Sequence, residues 1–166
     1  STNTVSANTV SGNTTSGNTA TGGLDTGSDV TTESGKITVS KGKVSIVYTV
    51  KGKTVALTKV TVKGSTVKIP TTVEENGKTY KVTKIAPNVF KGNKKIKKIV
   101  IGGNVTQIGK KAFAGCSGVK TIVIDAKNLK KIGKKAFSGI PENAVIKIKG
   151  NAKQKAKAQK LISRSF

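Results

Sequence analysis

The chain has no histidine, one cysteine, one arginine and only seven acidic residues. Each shortage excludes something. Without histidine, Cys116 has no plausible base to make its thiol a nucleophile, and a lone cysteine forms no disulfide within the chain. Beyond residue 35 the carboxylates are Glu74, Glu75, Asp125 and Glu142, too few and too scattered to hold a metal with one thiol and no imidazole. Asp125 and Glu142 fall in neighbouring repeats and could approach each other, but no surrounding motif equips them for acid–base work. No catalytic residue, cofactor or metal is therefore expected. The single Arg164 leaves no material for planar, bidentate readout of phosphates or base edges, so sequence-specific nucleic-acid recognition is not expected either. No apolar run is long enough to span a bilayer, and neither a signal peptide nor a C-terminal anchor is legible.

What the chain has instead is lysine. Residues 1–35 carry Asp25, Asp29 and Glu33 and no base, so residues 36–166 set 31 bases against four acids, a charge of +27. All of those bases but Arg164 are lysines. Lysine is a mobile point charge, so anion binding should be electrostatic and tolerant. Solvated lysines that keep a protein soluble are the plainer reading; a basic strip meeting a polyanion is the functional one.

The first 35 residues are nearly all Ser, Thr, Asn and Gly, with few apolar side chains. Such a segment buries too little to offset its ordering entropy, and reads as a disordered linker. It is an inert spacer or, given its hydroxyls and the acceptor pattern Asn13-Thr14-Thr15, a glycosylated stalk.

Downstream, "IGKKAF" occurs at Ile108–Phe113 and again at Ile132–Phe137, with "IAPNVF" at Ile85–Phe90. The step is 23 residues from Phe90 to Phe113 and 24 from Phe113 to Phe137. Seven columns align: Val82/Val105/Leu129, Ile85/Ile108/Ile132, Val89/Ala112/Ala136, Phe90/Phe113/Phe137, Ile96/Val119/Asn143, Ile99/Ile122/Ile146 and Ile101/Ile124/Ile148. Only Asn143 breaks their apolar character. The apolar-x-x-apolar-x-apolar ending is the spacing of a coil that finishes in a short strand. Gly92, Gly115 and Gly139 follow each Phe by two, where a short helical turn would need a left-handed residue to stop it. Asn104, Asn128 and Asn151 close the copies, where positive φ is expected. The Phe row should stack in the core about 5 Å apart.

The stretch "VTQIGKKAFAGCSGVKTIVI" resembles the BspA-type, or Treponema-type, leucine-rich repeat family of bacterial surface proteins. The family pattern is met at Ile108, Gly109, Ala112, Phe113, Gly115, Cys116, Val119, Ile122 and Ile124. The first copy departs with Ala86 and Asn93, the third with Ile140 and Asn143, and a lead-in extends the likeness back to about Val60. The resemblance implies a scaffold and a surface address, and no particular reaction. Cys116, at the repeat's own cysteine position, is expected to be a small buried hydrophobe.

Between Lys36 and Lys81 the pattern alternates, with valine, isoleucine and threonine at every second position and Lys-Gly or Asn76-Gly77 turns, as short antiparallel strands do. The expected fold is mostly β. It is a short leucine-rich-repeat solenoid of about three coils of 23–24 residues, repeats spanning 82–150, with an antiparallel β cap over 36–81. A basic capping helix follows over 151–166, N-capped by Asn151 and docked by Leu161, Ile162 and Phe166.

Two surfaces are candidates. Lys110, Lys111, Lys134 and Lys135 stand in equivalent places of adjacent coils and, with Lys130 and Lys131, form the candidate polyanion contact. If Ile99 and Ile101 point inward, then Lys98, Val100, Thr121, Val123, Val145 and Lys147 point outward as a candidate partner-binding strand face. The function expected is a non-catalytic secreted or cell-surface adhesion module that binds a host or bacterial surface protein or a glycan. The alternatives are a structural module held to anionic wall polymer and, less favoured, a non-specific nucleic-acid binder.

Overall fold

The computed structural model describes residues 29–166. The expected linker lies outside the described residues up to residue 28, as does Asn13. Its expected end at residue 35 is corrected, because Asp29–Glu33 is strand β1. Two acids and two threonines disguise it; Val30 is its one buried side chain, and pairing with the next strand holds it in place.

The elements that follow are β2 (Lys36–Lys41), β3 (Val44–Lys51), β4 (Thr54–Val62), β5 (Thr66–Ile69), β6 (Thr72–Glu75), β7 (Lys78–Ile85), β8 (Lys98–Ile101), β9 (Gln107–Ile108), β10 (Thr121–Asp125), β11 (Lys131–Ile132), β12 (Val145–Lys149) and helix α1 (Ala152–Ser163). Asn76 and Gly77 take φ of 49° and 71°, the mirror-image hairpin turn that joins β6 to β7. Strands β1 to β4 form an antiparallel meander. Thr32 donates its hydroxyl proton to the Glu75 carboxylate, linking β1 to β6 on the other flank of the same sheet.

Strand β4 joins cap and solenoid into one sheet. One edge pairs antiparallel with β3, and the other pairs parallel with β7, setting Val55 beside Val82 and Leu57 beside Ile85. The sheet continues through β9 and β11, so Leu57 heads the Ile85/Ile108/Ile132 column. In this sheet β4 covers the edge that β7 would otherwise expose at the entrance of the solenoid.

A second sheet, in the order β12-β10-β8-β5, is parallel throughout. It has four rungs, one more than the three-coil expectation. Strand β5, expected among the antiparallel strands, is the first rung, with Val67 and Ile69 in line with Ile99 and Ile101. Alternation marks a strand and one buried face but not the direction of its neighbours, which is why the sequence placed β5 in the wrong sheet.

The core between the sheets is continuous, from Tyr48 and Leu57 through the apolar columns to Ala158 and Ile162 of α1. Phe90, Phe113 and Phe137 stack inside it with centroid steps of 4.9 and 5.4 Å and interplanar angles of 13° and 2°. Gly92, Gly115 and Gly139 have φ of 74°, 73° and 76°, ending the turns as expected. Asn143, the break in the columns, is exposed because it lies in the last coil, with no further coil to cover it. Asn151 caps α1 in a reciprocal box with Gln154: each side chain bonds the other's backbone N–H at 2.9 Å.

Candidate functional site

Each coil carries a tight turn, at 87–92, 110–115 and 134–139, and backbone hydrogen bonds stack the turns in register. The N–H of Phe90 donates to the Ala112 carbonyl and that of Phe113 to Ala136, both at 2.8 Å; Gly92 and Gly115 donate to Ala114 and Ser138 at 2.7 Å. This ladder places Lys110 over Lys134 and Lys111 over Lys135 at about the 5 Å spacing of paired chains. Two like charges that close repel by roughly 0.8 kcal/mol in water, a small cost.

The backbone of this ladder has a feature that the repeat pattern does not announce. Lys111 and Lys135 are left-handed, with φ of 54° and 55°, as is Asn88 in the equivalent place of the first coil, with φ of 61°. That conformation costs an ordinary side chain about 1–2 kcal/mol, and Asn tolerates it best after Gly. Asn88 in this column was the available signal. The asparagines that were expected at positive φ are not there: Asn104 and Asn128 instead donate side-chain N–H bonds across the coils, to the carbonyls of Thr71 at 3.0 Å and Gly103 at 2.7 Å. A side-chain amide that reaches the preceding coil needs no unusual φ.

Of the remaining expected contacts, Lys131 is exposed on β11 beside Gln107 of β9, away from the turn. Lys130 lies in the loop before β11 and lines a groove against α1.

The strand face is set by register. The inward rows are Val67/Ile99/Ile122/Ile146 and Ile69/Ile101/Ile124/Ile148. The outward rows are Thr66/Lys98/Thr121/Val145 and Lys68/Val100/Val123/Lys147. The six residues expected on this face therefore come together, and β5 adds Thr66 and Lys68. In the second row the two valines sit side by side with a lysine at each end. Val123 is 9% exposed, sheltered by rungs on both sides, whereas Val145 on the terminal rung is 51% exposed.

Asp125 and Glu142 do not approach. Asp125 lies opposite Lys149 at the end of β10, and its carboxylate accepts from the Lys127 N–H at 3.1 Å. Glu142 precedes the start of β12, a strand length away, roughly 16 Å for five residues. Cys116 is fully buried and donates its S–H to the Phe90 carbonyl at 3.0 Å. Burial pushes its thiol pKa up to about 11, against a smaller lowering by the backbone N–H of Asn93. Among the described residues, no group of three or more metal-ligating side chains forms, and no helix is long and apolar enough to cross a membrane.

Twenty-odd-residue coils, a stacked Phe ladder and a parallel sheet with Ile-x-Ile rungs coincide with a match to one family. Residues 83–158 match the family described as "BspA type Leucine rich repeat region (6 copies)". Residues 83–158 are a BspA-type leucine-rich repeat region. A leucine rich cell surface protein from Faecalibacterium prausnitzii A2-165 has a similar structure, with a TM-score of 0.54 and 21% identity over 68% of this chain and 42% of that one. A leucine-rich repeat protein from Bacteroides capillosus ATCC 29799 gives a TM-score of 0.50 and 22% identity over 68% of this chain and 99% of that one. The chain thus spans under half of the Faecalibacterium protein and nearly all of the Bacteroides one. No curated protein matches. The BspA-type unit accounts for the glycine of the "IG" pair. A Cβ on Gly133 would lie 2.4–2.8 Å from the backbone of Gly109 and Lys110, and one on Gly109 2.5–2.8 Å from that of Ala86 and Pro87. Ala86, the first copy's departure, stacks on strand β4, its N–H bonded to the Leu57 carbonyl at 2.8 Å, with no preceding turn to meet.

Proposed function

We propose that this BspA-type solenoid is a non-catalytic binding module, secreted by or displayed on a bacterium, that holds a host protein or glycan on its strand face. The observation that carries this reading is the row Lys68, Val100, Val123, Lys147, beside a row ending in exposed Val145. An apolar centre between cationic ends, on a four-stranded parallel sheet, has the anatomy of a recognition surface with a polar rim. The cell-surface description of the Faecalibacterium relative supports the address. The test is retention of the chain on a panel of glycans, wall polymers, DNA and matrix proteins, at low salt and near 0.5 M, about three times physiological ionic strength. One ligand held through high salt supports the reading; loss of every ligand together removes it.

A second reading has its own observation. Lys111 and Lys135 keep their charge at left-handed positions where Asn is less costly, as Asn88 shows. A ladder of lysines kept against backbone preference suits an electrostatic hold on an anionic wall polymer. Uniform elution of all polyanions by salt, DNA included, favours this reading.

A further inference from the structure

A groove of about 230 Å³ lies between the loop at 126–130 and the first turns of α1, at the C-terminal end of the solenoid. Its walls include Ala126, Leu129 and Asn128, the first two buried, and its rim carries Lys127 and Lys130 from the loop and Lys153 and Lys157 from the helix. All four lysines are exposed, and no acidic side chain lines the groove. The loop is fixed where it meets the helix: the Ala126 N–H donates to the Lys149 carbonyl at 2.9 Å, two residues before the cap Asn151.

The lysines are placed against local preference. Lys153 and Lys157 are like charges at i and i+4, which destabilises a helix by a few tenths of a kcal/mol. The first turn of α1 also has no acidic residue to meet its dipole. The capping box engages the N–H groups of Asn151 and Gln154, and the charge of the groove comes from its lysine side chains.

We infer that this groove binds a phosphate-rich anion, a phosphodiester stretch of a polymer, clamped between the last coil and its capping helix. Lysine suits it as a point-charge phosphate binder. Closely spaced phosphates would put several negative charges among four positive ones, where a lone carboxylate brings one. Because the lysines come from two elements, binding also ties α1 to the solenoid. The site is separate from the strand face and stands whether or not that face binds a partner.

The test uses the full chain, tripolyphosphate as probe, and two variants that each lose two charges: Lys127→Gln/Lys157→Gln in the groove and Lys59→Gln/Lys63→Gln on the N-terminal cap. Titration calorimetry should show the Kd rising about tenfold in the groove variant, a loss of about 1.4 kcal/mol, and less than about twofold in the cap variant. At one tripolyphosphate concentration the unfolding temperature should rise equally in the wild type and the cap variant, and less in the groove variant. Equal weakening in both variants would reduce the site to diffuse charge and overturn the inference. Dextran sulfate binding as tightly, with the same dependence on Lys127 and Lys157, would overturn its assignment to phosphate.

Discussion

The backbone N–H of Phe137 donates to the carbonyl of Ser165 at 2.9 Å, the bond that Phe90 and Phe113 make to Ala112 and Ala136 of the next coil. Ser165-Phe166 thus takes the place of the Ala-Phe pair of a further repeat. The Phe166 ring follows Phe137 at 6.2 Å, tilted by 40°. Helix α1 brings it there, anchored by buried Ala158 and Ile162. The solenoid is closed by an imitation of its own unit, and the stack is tight within and loose at its end. Phe113→Ala should therefore cost about 3–5 kcal/mol in chemical denaturation. Phe166→Ala, at a ring 56% exposed, should cost about 1 kcal/mol. Equal losses would contradict the closure.

Gly133 approaches the backbone of Lys110 too closely for any side chain. Gly133→Ala should lower stability by more than about 2 kcal/mol, read from the denaturation midpoint, because neither neighbouring backbone is free to retreat. A neutral substitution would mean the coils are not stacked through this contact.

The left-handed lysines offer the opposite sign. Lys111→Asn and Lys135→Asn should each stabilise the chain by about 0.5–1 kcal/mol, copying Asn88. If the turns hold an anionic polymer, the same double variant should elute from it at lower salt.

Tyr48 is fully buried with its hydroxyl unpartnered among the described residues, and burial raises its pKa. Tyr48→Phe removes an unpaired polar group without opening a cavity, so stability should rise by about 1 kcal/mol. A loss of that size would show that the hydroxyl is bonded in solution.

Cys116 should resist thiol reagents at pH 8 until the protein unfolds. Its folded pKa of about 11 lies above the ordinary 9.0, so between those values the folded state retains a proton that the unfolded state releases. This contribution is complete below pH 9 and is lost as pH rises towards 11, by about 2–3 kcal/mol. Comparison with Cys116→Ala, which lacks the thiol, isolates it.

The repeat was legible because its columns recur: Phe90, Phe113 and Phe137 announce a stacked interior, and the register of Ile99 and Ile101 follows from period two. The strand face followed from the same parity, since inward isoleucines fix Val100, Val123 and Lys147 outward. What escaped depended on pairing between distant segments. Strand β1 exists because β2 borders it, and β5 is parallel because β8 runs beside it; neither partner is visible in the local pattern. The groove lysines escaped for a similar reason. Lys127 and Lys157 are 30 residues apart and meet only where α1 folds back on the last coil.

The proposed function rests on recognition of a partner by the strand face. Its most direct test is binding of the wild type and of Val145→Asp/Lys147→Gln, side by side at about 0.5 M salt, to whichever ligand of the panel the wild type retains. Recognition by the strands requires loss of retention in the variant with an unchanged unfolding temperature. Undiminished retention by a folded variant would contradict it, and would move recognition away from the strands.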